Sequence, residues 1–171
     1  MTLSFSTKFK NGTQNFFIEK IWEGLFRNDI ADAENTFPVY TQKYMKKFGK
    51  DWDELPSNTR LKHPKIHTMR EDKGDRWDKG NDIHFVINNR TKDRFQFAPV
   101  VKCVSTQDVF ITYLRGRMEI TVDEKYLYCN DIEKLIKNDG FDSRNQFIDW
   151  FFPKSKTAWN GKIIHWTDFK Y

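Results

Sequence analysis

The sequence predicts an α+β fold: a small closed β-barrel with flanking helices and one helical insertion. Two observations carry this. Short stretches with strand-like alternation or β-branched and aromatic enrichment recur near the start and throughout the part after residue 80. Two short amphipathic segments precede a last apolar stretch, and one more lies early in the chain. Barrel closure is the usual way for such a sheet to hide its edges. At 171 residues the chain is expected to form one domain, 1–171, with enough length to bury a core without disulfides or metals.

The elements follow in order. Leu3 to Phe9 alternates as a strand and Asn11-Gly12 turns it. Phe16 to Leu25 is a short helix, with Phe17, Ile21 and Leu25 on one face. Residues 28–59 read as an insertion. Tyr40, Tyr44, Phe48 and Trp52 fall at helical spacing there, and Leu55-Pro56-Ser57-Asn58 closes the run. Asp82 to Ile87 is a strand and Asn88 to Asp93 a hairpin tip. Phe95 to Leu114 supplies one or two strands, and Met118 to Val122 another. A helix capped by Asn130 or Asp131 runs to Asn138 and stops at Gly140. A second, capped by Asp142 or Ser143, ends at Pro153, and Gly161 to Thr167 closes the sheet.

Composition narrows the chemistry. Only 38% of residues are hydrophobic, but 16% are aromatic, so a few large rings must build most of the core. Rings left on the surface can stack on bases. No apolar run approaches the ~20 residues of a membrane span, and the N-terminal residues lack a signal-peptide pattern. Cys103 and Cys129 share no metal-type spacing and read as reduced thiols, so a cytoplasmic location is expected. His63, His67, His84 and His165 form no metal-binding pattern, and neither a metal nor another cofactor is expected. Between Arg60 and Arg94 there are ten Lys/Arg against six Asp/Glu, which points to an anionic partner such as nucleic acid or a nucleotide.

Pro64-Lys65-Ile66-His67-Thr68-Met69-Arg70-Glu71 places an amine, an imidazole, a hydroxyl, a guanidinium and a carboxylate within seven residues. Such a run suits the grip of a polar or anionic ligand better than a plain strand. Arg70 can fork onto a phosphate or carboxylate, and Trp77 can stack on a base or pack beneath the charged turn around it. Arg90, Lys92 and Arg94 at the hairpin tip read as phosphate contacts or as solvated loop. For amide hydrolysis, Thr68 would attack and Lys65 would accept its proton, with His67 or Arg70 helping to keep the amine neutral. Side chains three apart point to opposite faces of a straight strand, so this requires a turn after Pro64.

These residues resemble an ASCH domain (activating-signal-cointegrator homology) of the PUA-like superfamily. The likeness lies in Glu23-Gly24 closing the early helix and in Lys65 to Arg70, similar to the family's K-x-x-T-x-R. It continues in the turn Lys79-Gly80-Asn81-Asp82 and in Asn138 to Ser143 followed by Phe147 and Phe151. Lys162 to Asp168 fits the closing strand. The resemblance covers about residues 3–27 and 60–170 and leaves 28–59 unexplained. It implies a PUA-like barrel whose cleft faces RNA or a modified nucleoside. Some bacterial relatives deacetylate N4-acetylcytidine with a Lys, a Thr and an acid. By motif these fall at Lys65, Thr68 and Asp139, the last being one methylene shorter than the Glu of those hydrolases. The expectation is RNA or modified-nucleoside binding, with amidohydrolase and ribonuclease activity as alternatives.

Overall fold

The computed structural model describes residues 1–50, 63–154 and 156–171. These form nine strands, four helices and two sheets, so the fold is α+β. A closed barrel is not found among the described residues. The chain divides into two compact units, Met1–Lys65 with Asn81–Lys102, and Ile66–Gly80 with Cys103–Tyr171.

The first unit contains β1 (Thr2–Phe5), α1 (Phe17–Arg27), α2 (Ala33–Phe48), β3 (Asp82–Ile87), β4 (Phe95–Gln96) and β5 (Val101–Lys102). β1 runs parallel to β3, with Leu3 opposite Phe85 and Phe5 opposite Ile87. β4 and β5 pair antiparallel with β3. α1 follows the expected pattern, with Phe17, Ile21 and Leu25 all buried. Phe16 is its N-cap, and one residue earlier the Asn15 carboxamide oxygen accepts from Phe17 N at 3.1 Å while its NH2 donates to Ser6 O at 2.9 Å.

α2 starts earlier than the sequence suggests, because residues 33–39 are helical as well. Pro38 lies inside it, in the second turn, where it removes one intrahelical donor, the one that would meet Glu34 O. Its inward stripe is aromatic. Tyr44 and Phe48 meet Phe95 at ring distances of 5.5 and 5.7 Å, and Phe37 and Tyr40 meet Trp22 at 5.1 and 5.8 Å. Gly49 takes a left-handed φ of 69° to end the helix. Trp52 and the expected close at Leu55–Asn58 lie outside the described residues.

The second unit is a five-stranded antiparallel sheet in the order β2-β9-β6-β7-β8. Its strands are β2 (His67–Arg70), β6 (Ser105–Leu114), β7 (Arg117–Val122), β8 (Lys125–Tyr126) and β9 (Ala158–His165). Alternation sorts β6 cleanly, with Ser105, Gln107, Val109 and Ile111 buried and Asp108 and Phe110 exposed. The helices are α3 (Cys129–Asn138) and α4 (Arg144–Phe151). Tyr128, not Asn130 or Asp131, is the N-cap of α3, and it makes no side-chain cap bond. Asn130 and Asp131 therefore sit in the first turn, where Asp131 still complements the helix dipole. Ser143 caps α4 as expected, accepting from Gln146 N at 3.3 Å. Phe141, Phe147, Phe151 and Trp159 form a chain of ring contacts, with Phe147–Phe151 at 4.7 Å and Phe151–Trp159 at 5.0 Å.

Gly161 admits the end of β2 to this sheet. A Cβ there would lie 2.3 Å from Arg70 O and 2.6 Å from the Trp159 ring. Neither neighbour is a flexible side-chain tip, so the strand would have to move. Gly161→Ala is expected to destabilise the protein by about 1–3 kcal/mol, the usual cost of overpacking. A urea midpoint equal to wild type would refute this.

Candidate functional site

The polar segment is chemically rich but turned inward. Lys65 is 2% exposed, His67 0%, Thr68 3% and Asp139 2%. Pro64, Lys65 and Ile66 precede the strand, and β2 begins at His67. Lys65 is the last residue of its segment in the first unit, whereas Thr68 and Asp139 belong to the second. Lys65 N donates to Lys20 O at 2.8 Å. Its ammonium lies 5.0 Å from the Phe17 ring centre and 5.9 Å from that of Phe5.

In the second unit, β2 is an edge strand of the sheet, and the C-terminal end of α3 covers it. Ile66 N donates to Asn138 O at 3.0 Å, and Met69 N donates to Asp139 Oδ1 at 3.3 Å. The same Asp139 Oδ1 lies 3.8 Å from His67 Nδ1. Burial pushes the Arg70 guanidinium below its ordinary pKa, and the Asp139 charge pulls the other way. Asp139 therefore satisfies a strand edge and offsets a cation.

Around His67 lies a hydrogen-bonded cluster that includes residues the sequence did not flag. His67 Nε2 is 2.8 Å from the Tyr171 hydroxyl, which also accepts from Asn138 Nδ2 at 3.0 Å. Burial pushes the Tyr171 phenol above its ordinary pKa. Tyr171 is gripped at its main chain too: its N donates to Gln107 Oε1 at 2.9 Å and its O accepts from Gln107 Nε2 at 3.1 Å. Strand register places His67, His165 and Ser105 in one cross-strand row, and the two imidazoles sit 5.3 Å apart. Neither His165 ring nitrogen has a hydrogen-bond partner among the described residues. The isolated position of Tyr171, outside any periodic segment, gave no signal for this. His165 had one only as part of an apolar strand.

The remaining candidates separate by exposure. Trp77 is buried, and its N donates to Asp72 Oδ2 at 2.8 Å, so the ring is packed beneath the turn. Arg90, Lys92 and Arg94 are exposed in the first unit. The tip that carries them leans on α2: Lys47 Nζ donates to Arg94 O at 2.8 Å and to Lys92 O at 3.4 Å. Lys43 and Lys46 are exposed on the same helix, and Lys50 is exposed just past its cap. This part of α2 and the tip carry seven cations and one acid, Asp93. In the second unit Phe110 and Tyr126 flank Thr121 on the open face of the sheet. Of the cations there, Arg117 pairs with Glu119 at 3.1 Å.

Among the described residues there is no group of three His, Cys, Asp or Glu positioned to hold a metal ion, and no helix long and apolar enough to cross a membrane. Comparison with family models, with curated proteins and with solved structures finds no match for the chain.

Two outcomes follow from the buried cluster. Burial, with help from the Lys170 cation and against Asp123, holds His165 down at about 4. An unfolded chain would protonate near 6.5 while the buried ring resists the proton, so stability is full above that pH and falls as pH drops toward 4. The loss amounts to roughly 3 kcal/mol across the window. Urea titrations from neutral pH downward should show a flatter pH dependence in His165→Gln; an unchanged slope would exclude His165 as the source. Asp139→Ala removes the acceptor of Met69 N and the charge that acts on Arg70, and should cost about 1–3 kcal/mol, with Asp139→Asn losing less. Equal losses in the two variants would show that hydrogen bonding by the carboxamide does not help.

Proposed function

We propose that this protein binds RNA through the basic surface built by α2 and the β3–β4 tip. The carrying observation is the bond from Lys47 to the tip backbone, which gathers Arg90, Lys92 and Arg94 beside the α2 lysines. Like charges so close repel one another, and a polyanion relieves that repulsion. The net charge of +5 and the local excess between Arg60 and Arg94 act in the same direction.

The reading also takes the chain as a variant of the ASCH type within the PUA-like superfamily. It is supported by the pairing of the K-x-x-T-x-R strand with the closing strand and by the contact of Asp139 with that same strand. The cytoplasm is the compartment this reading assigns, and RNA the partner.

Binding of labelled RNA should weaken steeply with salt, because each phosphate contact releases condensed counterions. Replacing Arg90, Lys92 and Arg94 together by Ala should lower the slope of log K against log salt by about 2–3. Salt-indifferent affinity, or no binding at low salt, would reject the proposal.

A further inference from the structure

From the make-up of the α2 and tip surface we infer the form of its ligand: the phosphate backbone of a duplex, gripped without reading its bases. The inference rests on the RNA-binding reading above and specifies what that surface takes.

Surfaces that hold single strands combine cations with open aromatic faces, because unpaired bases need a platform on which to stack. The rings here are used otherwise. Tyr44 and Phe95 are buried, and Phe48 packs against both. Lys43 Nζ sits 4.9 Å from the centre of the Tyr40 ring, and Lys47 Nζ sits 5.8 Å from that of Phe48. The half-buried rings are thus capped by the protein's own ammonium groups.

Beside the exposed Val39 and Met45 of α2, what faces solvent is mostly charge. Lys43, Lys46, Lys50, Arg90, Lys92 and Arg94 are all exposed. Lys47 is committed to the tip carbonyls and acts as a positioning residue. Six point charges with no open aromatic face beside them among the described residues respond to phosphate density. A duplex carries one charge per ~1.7 Å of axis and releases more counterions per contact than a single strand does. An RNA duplex also has a deep, narrow major groove that side chains cannot read, so contact to its backbone is insensitive to sequence.

The test titrates the intact protein with a fluorescein-labelled RNA duplex of mixed sequence, a second duplex of shuffled sequence, and the unpaired strand. Fluorescence anisotropy is recorded across a salt series. With all six cations engaged, the duplex slope is about −5, equivalent to roughly a thousand-fold loss between 50 and 200 mM salt. Lys46→Ala, Lys50→Ala and Arg90→Ala should each lower the slope by about one. The two duplexes should bind equally, and both more tightly than the strand. Lys47→Ala should weaken binding by releasing the tip, whereas Lys47→Arg, still able to reach the carbonyls, should restore it.

Tighter binding of the unpaired strand, or a difference between the duplexes, would overturn the inference while leaving RNA binding intact. Duplex binding unaffected in all the cation variants would place the contact elsewhere and also overturn it. Failure of every RNA to bind at low salt would remove both the inference and the reading beneath it.

Discussion

The second unit depends on what is done with the outer edge of β2. A four-residue edge strand leaves backbone donors that must find partners when they are buried. Asp139 Oδ1 meets one of them, at Met69, and Asn138 O meets Ile66 N just before the strand. The end of α3 is held there by its own geometry: Gly140 turns at φ 90°, and Phe141 N returns to Ile136 O at 3.1 Å. The turn aims Phe141 into the ring cluster and Asp139 at the strand. One short segment thereby joins the packing of α3 and α4 to the satisfaction of the sheet.

The same arrangement explains how so polar a strand can be buried. An imidazole and a guanidinium on one short strand would be costly in an apolar core. Asp139 acts on both, and Tyr171 and Asn138 complete the imidazole's surroundings. His165 is the exception. It stays neutral without a hydrogen-bond partner among the described residues, and its burial sets its titration far below the ordinary range.

Charge in the first unit follows the opposite logic. On α2 and the β3–β4 tip the cations are exposed, and the rings beneath them form the scaffold. Aromatic packing of Tyr44 and Phe48 on Phe95 fixes the helix to the strand, and Lys47 fixes the loop to the helix. A basic hairpin tip alone is a solvated loop. Joined to a lysine-bearing helix, it becomes part of one concentrated basic surface.

The sequence by itself determined most of the local structure, because local structure follows from periodicity and breakers. Phe17, Ile21 and Leu25 mark α1, Asp82 to Ile87 marks β3, and Ser143 and Pro153 bound α4. It also made the hairpin cations visible, since a run of charge at a turn needs no partner to be recognised. Three things were decided only by tertiary structure. Strand pairing among the described residues gives two sheets, joining residues as distant as Thr68 and Ile164, which no local pattern specifies. The polar segment turned inward because Asp139 and Tyr171, far along the chain, were available to satisfy it. Lys47 joined the tip because α2 folds against Phe95. Alternation and capping are written in neighbouring residues; the desolvation of a charge depends on which distant groups the fold brings beside it.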